Sequence, residues 1–152
     1  MAREWQASGD SRYELALGDF DAYLEKVERR RRGDDLDAGK VPRLELWLES
    51  EGQILAGVRV RLQLTEALMA RGGHIGYDVR PSMRRRGIGT ELLRLALPEA
   101  RKRGIARILI TCDADNLGSR KVIERNGGVL AEPVLSNESG ELVRRYWIEP
   151  VA

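Results

Sequence analysis

The sequence has few of the residues that most metal and disulfide sites require. Its 152 residues include one cysteine and one histidine. A single cysteine excludes an internal disulfide and is typical of a reducing compartment. One cysteine and one histidine also cannot supply the ligands of the usual zinc sites. We therefore expect a cytoplasmic protein that holds no metal.

Long apolar runs and an excess of one charge are missing too. No apolar run approaches the ~20 residues that cross a bilayer, and the first six residues contain no apolar signal core. The 26 Lys and Arg against 24 Asp and Glu leave a net charge of +2, too even to indicate a nucleic-acid partner. The run Arg29–Arg32 is either a basic patch or a solvated helix end, and the second interpretation is favoured. The length predicts one domain over residues 1–152, with neither a membrane nor nucleic acid as partner.

Two common phosphate-binding motifs are also absent. The P-loop spacing G-x-x-x-x-G-K-[ST] occurs nowhere in the chain. The dinucleotide fingerprint G-x-G-x-x-G fails because Leu92 stands where its third glycine belongs. Any phosphate site in this chain must therefore be built on a different spacing.

The segment Gly73–Thr90 carries such a spacing. Alternating β-branched and aromatic residues predict a strand over Ile75–Val79, which Pro81 ends. A basic, glycine-rich turn, Arg84–Thr90, then opens a helix. Free backbone N–H groups and the dipole at a helix N-terminus favour a bound anion, typically phosphate.

The rest of the chain predicts further helices and strands on either side of this segment. Periodicity predicts helices over 19–33, 87–103 and 119–125, and strands over 43–49, 54–64, 105–112, 129–135 and 141–148. The first two strands form an antiparallel hairpin. The strand at 75–79, the helix after it and the strand at 105–112 form a βαβ unit, so these two strands are expected to be parallel neighbours.

Two blocks of this sequence resemble the GNAT-type N-acetyltransferase superfamily. The first is Arg84-x-x-Gly87-x-Gly89 with Val79-Arg80-Pro81 upstream, and it resembles the coenzyme A pyrophosphate loop. The second, Thr111-Cys-Asp-Ala-Asp-Asn116-x-x-Ser119 followed by Glu124-Arg-Asn-Gly-Gly128, resembles the second conserved block. The resemblance is best over residues 73–131. Gly72-Gly-His-Ile-Gly-Tyr77 is similar to a branch of mostly uncharacterised bacterial acetyltransferases.

The resemblance implies an α/β (α+β) fold and acetyl-CoA as cosubstrate. The implied architecture is a single domain with a mixed, mostly antiparallel sheet of six to seven strands, about four flanking helices and a splayed central parallel pair. The implied cofactor residues lie on the central strand, the basic loop and the second block. They are Tyr77, Val79, Arg84, Arg85, Arg86, Gly87, Ile88, Gly89, Thr90, Asn116 and Ser119. The backbone of Val79 would polarise the thioester carbonyl. Asn116 and Ser119 are also explained as helix caps.

The catalytic acid and base are less evident. Many superfamily members place a tyrosine acid in the second block, where this chain has Ile123. Tyr146 and Tyr77 are the candidate replacements, and each is also explained as a core aromatic residue. The candidate bases are His74, Asp78 and Glu45, and a base acting through ordered water is a further alternative. An acetylated Cys112 is disfavoured because no activating base is suggested nearby.

The resemblance predicts acetyl transfer from acetyl-CoA to a primary amine of a small molecule or peptide by direct attack in a ternary complex. The acceptor is not identified, and Trp47, Arg59, Arg61 and the segment 34–42 are assigned to its side by position alone. The alternative is a non-catalytic acetyl-CoA-binding sensor on the same fold. The expected assembly is a monomer or homodimer.

Overall fold

The computed structural model describes residues 1–34, 36–136 and 139–151. The segment 34–42 and the connection between the predicted strands 129–135 and 141–148 therefore lie partly outside the described residues. Its helices are α1 (Ala2–Ala7), α2 (Glu14–Gly18), α3 (Phe20–Arg32), α4 (Glu66–Ala70), α5 (Ile88–Arg101) and α6 (Leu117–Arg125). Its strands are β1 (Arg43–Ser50), β2 (Gln53–Arg61), β3 (Ile75–Val79), β4 (Ile108–Asp113), β5 (Val129–Leu130), β6 (Val134–Leu135) and β7 (Leu142–Ile148). A short 3-10 turn, Pro81–Met83, follows β3. No helix in these described ranges is long and apolar enough to cross a membrane.

Helix α3 illustrates how local chemistry sets an element. The Asp19 carboxylate accepts a hydrogen bond from the Ala22 N–H at 2.9 Å and caps the N-terminus. Gly33 ends the helix with a φ of 81°, a left-handed conformation that glycine adopts without a steric penalty. The predicted helix over 19–33 is confirmed.

Strands β1, β2 and β3 form an antiparallel sheet in that order. Alternation gives the sheet two different faces. The apolar face, which includes Leu44, Val58, Val60 and Ile75, packs on helix α5 in the main core. The opposite face is polar and lies beneath the N-terminal helices, where Trp5, Tyr13 and Tyr23 form a second small cluster.

A second antiparallel sheet contains β4, β7 and β5 in that order, with β6 also paired to β7. The predicted strand over 129–135 is divided into β5 and β6 around Pro133, which has no N–H to donate to a ladder. The predicted α+β class with mostly antiparallel strands is confirmed. The structure adds the short helices α1, α2 and α4 to the expected set, each too short to show a periodicity in the sequence.

Strands β3 and β4 are neighbours that share no ladder in the described part of the chain. An isolated bridge joins Gly73 to Ile110. The His74 N–H donates to the Leu109 carbonyl at 2.8 Å, and the Leu109 N–H donates to His74 Nδ1 at 2.9 Å. The histidine side chain thus takes the N–H that a ladder would use. The two strands are neighbours, as predicted, and the central pair is splayed, as the resemblance implied.

Candidate active site

The N-terminus of helix α5 presents a row of unpaired backbone donors. Arg85 and Gly87 have φ values of 60° and 78°, and no side chain caps the helix. Within the described part of the chain, none of the N–H groups of Arg85–Thr90 donates to a protein acceptor. These amides lie at the positive end of a 14-residue helix. The arrangement is suited to bind an anion.

The three arginines of this loop have different surroundings. Arg84 Nε donates to the Val79 carbonyl at 3.4 Å, and the Arg84 guanidinium lies 4.8 Å from the centre of the Trp5 ring. Arg85 and Arg86 are exposed and have no side-chain partner among the described residues. Arg85 and Arg86 are therefore the cations that remain available to neutralise an anion here.

The two glycines of the loop are needed for different reasons. A Cβ at Gly87 would meet no atom within 4 Å, so this glycine is required by its positive φ. A Cβ at Gly89 would lie 3.3 Å from Val122 Cγ2 and 3.4 Å from Val79 Cγ2. Gly89 thus lets the start of α5 pack against β3 and α6.

The outer edge of β3 is open toward β4. The Arg61 N–H donates to the His74 carbonyl at 2.7 Å and the Arg80 N–H donates to the Leu55 carbonyl at 2.8 Å, one at each end of an unbroken β2–β3 register. Antiparallel pairs alternate between bonded and non-bonded positions. The backbone groups of Ile75, Tyr77 and Val79 therefore point away from β2, into the space between the two sheets.

A cavity of about 240 Å³ occupies this space. It is lined by β2, β3, the end of β4 and the start of α6. The Tyr77 hydroxyl lies 2.7 Å from Ser119 Oγ, and burial raises the pKa of Tyr77 to about 12. Asn116 Oδ1 accepts from the Ser119 N–H at 3.0 Å and caps α6. The Asn116 Nδ2 group has no partner among the described residues and remains available to a ligand.

The carboxylate of Asp78 is fully engaged. Asp78 is 7% exposed and accepts from Tyr13 at 3.0 Å, from Arg59 at 2.6 Å and from Arg12. Both carboxylate oxygens therefore accept from protein donors, Oδ1 from Arg12 and Oδ2 from Tyr13 and Arg59. This arrangement fixes the N-terminal segment to β3.

Glu45 and His74 are engaged in the same way. Glu45 accepts from Tyr23 at 3.0 Å and from Arg43 at 2.8 Å. Burial lowers the pKa of His74, so its ring is neutral at pH 7. Its Nδ1 accepts from Leu109, which assigns the proton to Nε2. None of the three candidate bases thus presents an unpaired acceptor in this conformation.

The sequence profile described as the acetyltransferase (GNAT) family matches residues 10–128. The chain belongs to the GNAT acetyltransferase family. The expected acyl-CoA-dependent N-acetyltransferase is thereby confirmed at the level of the family. No curated protein matches the chain in sequence.

Solved structures of acetyltransferases share the fold. RimL, a ribosomal L7/L12 alpha-N-protein acetyltransferase solved with coenzyme A, is 20% identical, with a TM-score of 0.62 over 84% of this chain and 68% of that chain. MccE, a microcin C7 self-immunity acetyltransferase solved with acetyl-CoA and AMP, is 18% identical, with a TM-score of 0.63 over 84% and 68%. YncA of Salmonella typhimurium, solved with acetyl-CoA, is 16% identical, with a TM-score of 0.63 over 86% and 73%. These identities support the fold alone.

The remaining candidate residues of this GNAT domain lie in the core. Tyr146 is 1% exposed, donates to Glu124 Oε1 at 3.1 Å, and is absent from the described lining of the 240 Å³ cavity. Ile123 is fully buried, and a Cβ at Gly128 would lie 2.4 Å from its Cγ2. Burial raises the pKa of the Cys112 thiol, which opposes a nucleophilic thiolate. Tyr77 is the candidate acid whose side chain lines the cavity.

Sequence reasoning missed two site residues and a second cavity. Arg71 and Asp113 form an ion pair at 2.9 Å and line the 240 Å³ cavity. A larger cavity of about 950 Å³ lies between α3, the segment after it, the end of β2 and α4. Arg71 lies in no motif, and the second block contains Asp113 without indicating its partner, because the two residues are far apart in sequence. The described residues contain no group of three or more His, Cys, Asp or Glu that could hold a metal ion.

Proposed function

We propose that this GNAT domain binds acetyl-CoA along the open edge of β3 and the N-terminus of α5, and transfers the acetyl group to a primary amine of a small molecule or peptide. The observation that carries the proposal is the row of unpaired amides from Arg85 to Thr90 beside the open backbone edge of β3. Acetyl-CoA supplies an activated thioester and a pyrophosphate, and both groups match donors present here.

The residues fit the pyrophosphate and the pantetheine arm of the cosubstrate. The amides of Arg85–Thr90, with the guanidinium groups of Arg85 and Arg86, are suited to the pyrophosphate. The Tyr77 backbone and the Asn116 Nδ2 group are suited to the amides of the pantetheine arm. The Thr90 hydroxyl adds a donor at the first turn of α5.

The Val79 N–H is the donor assigned to the thioester oxygen. It points away from β2 and is not used by the ladder. A fixed donor aimed at the developing oxyanion stabilises the tetrahedral intermediate without reorganising during the reaction. This role depends on the backbone, so it is independent of the valine side chain.

Proton removal from the acceptor is assigned to water. His74, Asp78 and Glu45 all accept hydrogen bonds from protein groups. An amine with a pKa near ~10 is partly deprotonated at mildly alkaline pH and can lose its proton to solvent before attack. Tyr77, with a pKa of about 12, is a weaker acid than a thiol of pKa ~8.5. We therefore assign to Tyr77 a hydrogen bond to the departing sulfur, without full proton transfer.

The test is the substitution Val79→Pro compared with Val79→Ala. Proline removes the N–H that β2 does not use, whereas alanine keeps it and trims only the side chain. Thiol release from acetyl-CoA with a panel of amines is expected to fall by about 10²–10³-fold in kcat for Val79→Pro. Val79→Ala is expected to retain most of the activity.

Circular dichroism and acetyl-CoA binding show whether the proline variant folds. A folded Val79→Pro protein with unchanged kcat would remove Val79 from the mechanism. Tight acetyl-CoA binding by the parent protein, without transfer to any amine in the panel, would support the sensor alternative instead.

A further inference from the structure

The larger cavity, of about 950 Å³, carries an excess of positive charge. Its described lining includes seven Lys or Arg side chains and three Asp or Glu side chains. One of those three carboxylates, Asp34, lies 2.7 Å from Arg32, which is outside the described lining. The volume is typical of sites for small molecules. Its charge favours an anionic occupant.

The cations at the base of this cavity share one carboxylate. Glu45 lies 2.8 Å from Arg43 and 3.6 Å from Arg30, and it also accepts from Tyr23. One negative charge therefore serves two guanidinium groups. The polar face of the sheet remains cationic after these pairs are formed.

Arg61 stands apart from this network. Its Nη1 donates to the carbonyls of Gly72 and Gly73, both at 3.2 Å, and it forms no ion pair with a carboxylate in the described part of the chain. Burial and the nearby Arg43 and Arg59 lower its pKa to about 10. A partly buried cation without a counterion is costly to the fold. A bound anion would remove that cost.

The position of Arg61 connects the two cavities. Arg61 and Arg71 line both the 950 Å³ cavity and the 240 Å³ cavity beside β3. Gly76 lies beside both arginines of β2, since a Cβ there would be in ordinary contact, 3.7 Å from Arg61 Nη1 and 3.6 Å from Arg59 Nη2. An anion held by Arg61 would leave an attached amine close to the open edge of β3.

We propose that the acceptor is a small amine carrying a carboxylate or phosphate group, and that Arg61 binds this anion where the two cavities meet. This inference rests on the proposed acetyl transfer. Arg61 offers a planar fork of donors that matches both carboxylate and phosphate oxygens. The larger cavity holds the remainder of the acceptor.

The test compares acceptors that differ only in the anion. One arm pairs each of several amino acids with its C-terminal amide, and the other pairs an amino sugar phosphate with the unphosphorylated amino sugar. Thiol release gives kcat and KM for each acceptor. The acid is expected to exceed the amide in kcat/KM by about 10- to 100-fold, the range for loss of a hydrogen bond to a charged group. The amino group of the amide is less basic than that of the acid, so a larger fraction of it is deprotonated and reactive. This difference favours the amide and therefore opposes the expected preference for the acid.

Three variants separate anion binding from a structural role. Arg61→Gln is expected to abolish the preference for the acid, chiefly through KM, while Arg61→Lys retains part of it. Arg32→Gln removes the same charge from an exposed position outside the described cavity lining, and it is expected to keep the preference. A purely structural Arg61 would lower kcat/KM for acid and amide equally, which would overturn the proposal.

Calorimetric titration of the same acceptors into the protein with coenzyme A provides a readout that needs no transfer. Equal acetylation of acids and amides would overturn the inference and leave the proposed function intact. Absence of acetylation, with Arg61-dependent binding of the acid, would refute the proposed transfer and retain the anion site. Failure of both measurements would refute both proposals.

Discussion

The polar groups on the open edge of β3 differ from those on the polar face of the sheet in whether they have protein partners. On the edge facing β4, the backbone donors of β3 and the amides of Arg85–Thr90 have no protein acceptor among the described residues. On the polar face of the sheet, the carboxylates of Asp78 and Glu45 each accept from several protein donors. The first side is prepared to receive a ligand rich in acceptors. The second side uses its acids to hold the N-terminal helices in place.

This difference explains why cations outnumber acids in the lining of the larger cavity. Each paired carboxylate fixes one element of the N-terminal segment through a tyrosine hydroxyl, Tyr13 for Asp78 and Tyr23 for Glu45. The arginines outnumber these acids, so the surplus charge is positive and concentrated near Arg61. Substitutions on the two sides should therefore have different signatures, one in stability and the other in cosubstrate binding.

The largest stability effect is expected for Asp78→Asn. The substitution leaves Arg59 and Arg12 without their shared counterion, and breaking such a pair from one side costs about 2–3 kcal/mol here, below the fully buried range because both arginines are partly exposed. Urea unfolding at pH 7 measures the loss. The acceptor-dependent pH–rate profile is expected to keep its shape.

A matched control separates the buried pair from a surface one. Asp10→Asn removes an exposed carboxylate that also binds Arg12, and it is expected to change the free energy of unfolding little. Asp78→Asn combined with Arg59→Gln should recover part of the lost stability, because the uncompensated buried charge is removed. Loss of a pH-dependent limb of kcat/KM in folded Asp78→Asn would instead identify Asp78 as a base.

The two loop glycines give the next effect in size. Gly89→Val forces side-chain atoms against Val122 and Val79 and is expected to destabilise the protein by about 1–3 kcal/mol. Gly87→Ala meets open space but must adopt a φ of 78°, which costs about 1 kcal/mol. Both are measured by urea unfolding, with the KM for acetyl-CoA measured in parallel.

Rescue distinguishes the two mechanisms. Val122→Ala makes room beside position 89. It should recover part of the stability lost in Gly89→Val and none of the stability lost in Gly87→Ala. Equal rescue of both variants would contradict the separate roles given to these glycines.

The cofactor side was the more predictable from the sequence because its signals are local. The strand over Ile75–Val79, the glycine turn and the helix that follows are consecutive, and the Asn116 cap lies three residues from its Ser119 partner. The sequence could not predict why position 89 requires glycine, since the reason is a close approach to Val122 of another helix.

The acceptor side depends on contacts between distant segments. Arg12 and Tyr13 reach Asp78 across more than 60 residues, and they lie in the turn between α1 and α2, which has no periodic pattern. The sequence assigned Arg59 and Arg61 to the acceptor side, but it could not show that, among the described residues, Arg59 meets a carboxylate and Arg61 does not. Pairing of this kind follows from tertiary packing, which no short motif records.

The smallest effect at pH 7 is expected at His74, and it sharpens the same comparison. Burial lowers the pKa of His74, so the unfolded chain binds its proton more readily than the folded protein. This contribution to stability is complete above pH ~6.5 and is lost as the pH falls toward the lowered folded pKa. Between pH 8 and pH 5 the loss is at most about 2 kcal/mol, since one pH unit corresponds to 1.36 kcal/mol.

The substitution His74→Asn removes the imidazole and so isolates its contribution to the pH dependence of stability. An asparagine oxygen can still accept from the Leu109 N–H, whereas His74→Ala leaves that N–H without a partner at a cost of about 1–3 kcal/mol. Urea unfolding at pH 5 and pH 8 should show a smaller pH dependence for His74→Asn than for the parent protein, and the kcat of the variant should equal that of the parent protein at each pH. If His74→Asn instead lost activity together with the acidic limb of the pH–rate profile, the imidazole would be the general base, and the engaged groups around β3 would include a catalytic one.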